Sequence, residues 1–159
     1  VRFDESWATR ADSGFAWWLK TESGEFRIEE HLKPISIHGW TAFERSILVD
    51  GQSARSSLWL RAAGLSQKNI ADSAINPEDS SWQRVPGSTY DWLVGLHDGS
   101  KLARWSIQNG TGAKDVCVRV PITDEASQNG MRLIYLRVKR GEMPPAEWQQ
   151  MLHGKGEAP

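Results

Sequence analysis

The chain has 159 residues, with 19 basic and 20 acidic side chains and a net charge of −1. This length suits one domain with one core, and the balanced charge argues against nucleic acid or an anionic membrane as the main partner, since both select a basic excess. A single cysteine excludes an internal disulfide framework, and no apolar run approaches the ~20 residues of a bilayer span.

The chain opens on Val1 rather than Met, so the expectation is a processed or excised piece, compatible with an extracytoplasmic or secreted location. Residues 1–12 and 154–159 are expected to be frayed ends. The first strong element is the segment Phe15-Ala16-Trp17-Trp18-Leu19-Lys20. On a strand, neighbouring side chains point to opposite faces, so the two tryptophans must part. A hairpin turn at Ser23-Gly24 pairs Leu19 with Ile28, Trp17 with Glu30 and Phe15 with Leu32. Trp17 then shares an apolar stripe with Phe15, Leu19, Phe26, Ile28 and Leu32. Trp18 falls among Lys20, Glu22, Glu25, Arg27, Glu29 and His31, and is expected to be the more exposed of the two.

A second turn dipeptide, Asp50-Gly51, predicts a hairpin that sets Ile47 against Ala54 and Phe43 against Leu58. Extended outward, it brings Trp40 and Trp59 diagonally together on the polar face, with Arg61 opposite Trp40. The stretch Arg61–Ile75 lacks alternation and suits a short helix, with Ser66 as N-cap and Asn76-Pro77 as the stop. Within it, "AAGLSQKNIADSA" resembles the opening of a helix-turn-helix of the phage-repressor type. The resemblance covers about a dozen residues and implies a recognition helix next. The "INPEDSSWQRV" that follows is acidic and broken by proline.

Further along, Asp98-Gly99 predicts a hairpin with Trp92 opposite Trp105, Tyr90 opposite Ile107 and Val94 opposite Ala103, a ladder that belongs on a core. Two more strands are expected over Asp115–Ile122 and Met131–Lys139, joined by the polar loop "TDEASQNG". Pro144-Pro145 can open a C-terminal helix, in which Trp148, Met151 and Leu152 share a face, and Gly154 would close it. These elements make a single, mainly β, antiparallel domain over 1–159, a meander, sandwich or barrel-like arrangement of about eight strands. It carries a short mid-chain helix and a C-terminal helix; α+β is the alternative class.

Chemistry is sparse. Cys117 lies mid-strand in "DVCVRVP" beside Arg119, which could lower its pKa, but no cysteine-hydrolase signature surrounds it. Glu29, His31 and His38 are close in sequence, yet they lack the compact spacing of a metal site. No Gly-rich phosphate loop or GxSxG elbow is present, and no cofactor is implied. What stands out is nine tryptophans, several of which the pattern does not bury. The expected binding residues are Trp18, Trp40, Trp59 and Arg61. Tryptophan offers rigid area and arginine a planar fork, a combination enriched where proteins are held. The expected function is therefore a non-catalytic, tryptophan-rich binding module for a protein partner, such as an assembly subunit, inhibitor or immunity-type protein. A carbohydrate-binding module with Trp platforms, or a hydrolase near Glu29, His31 and His38, are the alternatives.

Overall fold

The computed structural model describes residues 1–22, 24–50, 57–65, 82–97, 104–109, 114–121 and 130–153. Among them are ten strands and one helix: β1 (Arg2–Ala8), β2 (Ser13–Thr21), β3 (Gly24–Ile37), β4 (Trp40–Asp50), β5 (Ser57–Leu65), β6 (Trp82–Val85), β7 (Tyr90–Leu96), β8 (Arg104–Asn109), β9 (Lys114–Pro121), β10 (Met131–Lys139) and α1 (Ala146–Leu152). The strands form two open antiparallel sheets, one of seven strands in the order β1-β2-β3-β4-β10-β7-β6 and one of three in the order β5-β9-β8. The mainly β class with a short C-terminal helix is thus as the sequence pattern implies.

The layers follow from side-chain parity. The inner face of the large sheet carries Ile28, Ile47, Val94, Leu96, Leu133 and Tyr135, which meet Leu60, Trp105, Val116 and Val118 of the small sheet in one buried cluster. On the opposite face, Ile37, Leu93, Ile134, Leu136 and Val138 meet Trp148 and Leu152 of α1 in a second cluster. β10 therefore has apolar neighbours on both sides, and its run Leu133–Leu136 is buried without alternation, as expected for a strand covered on both faces. A helix of seven residues is marginal by itself. Here Trp148 and Leu152, both fully buried, seat it on the sheet.

The β2–β3 hairpin forms with Thr21 opposite Gly24, Leu19 opposite Phe26, Trp17 opposite Ile28 and Phe15 opposite Glu30. This differs from the expected pairing by two residues. An even slip exchanges partners but leaves every side chain on its face, so the predicted stripe survives. β3 and β4 are joined by a two-residue turn at His38 and Gly39, both with positive φ (46° and 85°), the conformation a tight hairpin requires.

Two expected hairpins do not exist. β4 and β5 belong to different sheets, as do β7 and β8, so Phe43 does not face Leu58 and Trp92 does not face Trp105. Trp92 sits opposite Arg137 and Val85, whereas Trp105 sits opposite Val118. Both rings nevertheless point inward, into the same inter-sheet core. The strands on either side of each turn dipeptide thus belong to different sheets. Residues 51–56 and 98–103 lie outside the described residues, as do most of the "TDEASQNG" loop and Gly154.

The mid-chain helix needs a correction too. Arg61–Leu65 belongs to strand β5, and the remainder of the expected helix and of the helix-turn-helix resemblance, from Ser66 on, lies outside the described residues. At the start of the chain, Arg2–Ala8 pairs with β2 as an edge strand where a frayed end was expected.

Candidate functional site

A polar strut joins the two sheets beneath the small sheet. In β5 the register with β9 shifts between Arg61 and Ala63, a bulge that takes Ala62 out of the ladder. Backbone groups turned out of a ladder inside a protein need other partners, and two side chains of the large sheet provide them. Arg45 Nη1 donates to the Arg61 carbonyl at 2.7 Å, and Tyr135 Oη donates to the Ala62 carbonyl at 2.8 Å. Arg45 is itself gripped by Glu30, which accepts from Nε and Nη2 at 2.7 Å each. Burial works against the Arg45 charge, but Glu30 and Tyr135 outweigh it and raise its pKa. The Tyr135 phenol is pushed up by burial, with Arg45 opposing.

Above this strut, the outward positions of the small sheet place Trp59 opposite Arg119 and Arg61 opposite Cys117. Trp59 stands 50% exposed. Arg61 is 64% exposed at its side chain, and its Nε lies 2.9 Å from Asp115 Oδ1. Cys117 is buried in the floor between them. Burial and the nearby Asp115 raise the Cys117 pKa and Arg61 only partly offsets them, the opposite of what an activated thiolate needs.

The other expected binding residues lie elsewhere. Trp40 follows the β3–β4 turn and packs on the α1 side of the large sheet, against the cluster holding Trp148 and Leu152. It and Trp59 are therefore in different sheets and do not come together. Trp18 lies on the outer face of the large sheet, between Arg2 on β1 and Arg27 on β3. The Arg2 guanidinium carbon is 5.7 Å from the Trp18 ring centre. Trp17 and Trp18 are both half-buried, so Trp18 is not the open ring that the charged face around it suggests. Arg2 of β1 thus shields part of the Trp18 ring, while Trp17 packs against the inter-sheet core and stacks on Phe15 at 5.2 Å.

A second polar constellation occupies the outer face near the β1 edge. His31 Nδ1 is 2.8 Å from Asp12 Oδ2, and its Nε2 is 2.7 Å from Glu29 Oε1. Arg27 bonds Glu29 at 2.5 Å, Asp4 at 2.9 Å and Glu5 at 2.6 Å. Glu29 and His31 share a face as their spacing requires. His38 lies in the turn just past the end of β3, seven positions beyond His31, or roughly 23 Å along an extended strand. Asp12, from the turn between β1 and β2, takes the place proposed for His38. Sequence spacing could not reveal it, since the contact spans a hairpin; the one local signal is Gly14, opposite His31. Among the described residues, no three or more His, Cys, Asp or Glu side chains are placed so that they could hold a metal ion.

Comparison of the chain with protein families, with curated proteins and with solved structures found no match in any of the three, which leaves the geometry of these residues to carry the functional reading.

Proposed function

We propose that the chain is a non-catalytic binding module that holds a protein partner against the outer face of the three-stranded sheet. Trp59 is the anchor and Arg61 its neighbour. The observation that supports this reading is the half-exposed Trp59 indole on an otherwise polar face, with Arg119 opposite it and Arg61 two positions along. An indole and a planar guanidinium are the groups that most often dominate binding energy. The Arg61–Asp115 pair and the strut beneath hold this face in place before a partner arrives, which lowers the ordering cost of association.

The alternatives have less support. A sugar platform uses a row of open rings, and Trp59 is the one tryptophan in the exposed class among the described residues. For a hydrolase, His31 has a carboxylate on each ring nitrogen, so neither nitrogen is left to take a proton from a nucleophile. The test is capture of the partner from the native source, followed by titration of the purified pair. Trp59→Ala should cost about 2 kcal/mol or more of binding, roughly 30-fold in Kd, with an unchanged melting curve. Undiminished affinity in both Trp59→Ala and Arg61→Ala would remove this surface from the function.

A further inference from the structure

We propose that the edge strand β1 and the turn after it are held on the large sheet by a proton-dependent clamp centred on His31. β1 is the outermost strand, and six of its seven residues are exposed, Trp7 being the exception. Its ladder to β2 is interrupted by a register shift between Phe3 and Glu5. Side chains must therefore supply part of its attachment. Arg27 reaches across to Asp4 and Glu5. Trp7 packs against the imidazole of His31, with ring centres 4.9 Å apart and planes tilted by 58°, in space that any side chain at Gly14 would occupy. Asp12 ends the turn that Thr9 opens, where the Asp12 N–H donates to Thr9 Oγ1 at 3.0 Å, and binds His31 from outside β3.

The clamp depends on protonation because of how imidazole donates. A neutral ring has one N–H, and its other nitrogen is an acceptor. Facing two carboxylates at 2.8 and 2.7 Å, only the imidazolium can donate to both. Neutral His31 would leave either Asp12 or Glu29 opposed to a lone pair.

The charges nearest His31 on this face are held as follows. Asp4 and Glu5 on β1 are bound to Arg27, which also holds Glu29. β2 places Gly14 opposite His31, and β4 places Ser46 there. Glu44 on β4 accepts from Ser46 at 3.0 Å and lies 3.9 Å from Arg132 on β10, while Lys33 is opposite Glu44. Burial alone would lower the His31 pKa, but Asp12 and Glu29 outweigh it and raise it above 6.5. A raised folded-state value means that the stabilisation is complete below 6.5 and is lost as pH rises through the folded value. Asp12, lowered chiefly by the His31 bond, and Glu29, lowered chiefly by Arg27, stay charged well below that range.

The test pairs an NMR titration of the His31 ring with hydrogen exchange of the β1 amides, corrected for intrinsic rates, on the whole chain. His31 should titrate above 6.5, and β1 protection should fall several-fold through that midpoint while β3 and β4 amides hold steady. His31→Gln should abolish the step. Asp12→Asn, the milder change, should move the His31 midpoint down and the step with it. A midpoint at or below 6.5, β1 protection indifferent to it, or a step that persists in His31→Gln would each overturn the clamp.

Discussion

Replacing Glu30 with alanine would leave the Arg45 guanidinium without the two bonds that hold it, in a site where its side chain is 17% exposed and the Glu30 side chain was 6% exposed. Removing one partner of a buried pair strands the other charge, which costs about 3–5 kcal/mol. The remaining bond to the Arg61 carbonyl does not compensate, since it is already made in the native protein. With an m-value of about 2 kcal/mol/M, the urea midpoint should fall by roughly 1.5–2.5 M. Glu30→Gln keeps the shape but sets an amide NH2 against a guanidinium N–H, for the loss of one charge-assisted bond, about 1.5–3 kcal/mol. The informative variant is the double one, Glu30→Leu with Arg45→Met. It removes both charges and leaves mainly the Arg61 carbonyl unpaired, about 1–3 kcal/mol, so it should be more stable than Glu30→Ala. Urea unfolding followed by tryptophan fluorescence gives these values and those of the single variants Glu30→Leu and Arg45→Met. A Glu30→Ala loss below about 1 kcal/mol, or a double variant that loses as much as the two singles summed, would refute the strut as the link between the sheets.

Asp91 is buried, and accepts from Arg84 at 2.7 Å, from the Gly141 N–H at 3.0 Å and from the Gly87 N–H at 3.2 Å. Burial opposes its charge, but these donors outweigh burial and lower its pKa, so its contribution is present above about 3.9 and is lost as pH falls through the folded value. Asp91→Asn should accordingly flatten the acid side of the stability profile measured by thermal melting between neutral pH and pH 3; an unchanged acid limb would count against it. Cys117→Ala should leave partner binding intact with a modest loss of stability, and native Cys117 should react with a thiol reagent far more slowly than the unfolded chain does. Fast labelling of the native protein would contradict its burial.

Which face a residue occupies was legible in the sequence far better than which strand it meets. Trp92, Val94 and Leu96 enter the inter-sheet core as their alternation requires, since parity is a local property of an extended chain. Partners are not local. A turn dipeptide such as Asp50-Gly51 or Asp98-Gly99 signals that the chain changes direction, and it says nothing about which sheet the next strand joins. The Trp40–Trp59 pairing was lost to that ambiguity, and Trp40 to the helix side. Trp59 and Arg61 kept their outward direction because the β5 alternation persists up to the bulge. His31 and Glu29 were recognisable as one face of one strand. Asp12, nineteen positions earlier, was not, because the β1–β2 hairpin that presents it carries no strong turn signature.

The position of β10 bears on how this chain is made. Strands β1 to β4 pair in sequence order, and β6 pairs with β7, so each group can assemble from neighbours as synthesis proceeds. Neither can join the other until residues 131–139 arrive, because β10 bonds β4 on one side and β7 on the other. Up to that moment two strand edges, rich in inward-facing Ile47, Val94 and Leu96, stand open with unpaired backbone groups. Such edges invite pairing with a second chain, and closing them demands a contact between distant parts of the sequence, which is intrinsically slow. The keystone of the sheet thus follows in sequence both strands that it joins, and the interval before it drops into place is when a β10 from a neighbouring nascent chain could be taken in its stead.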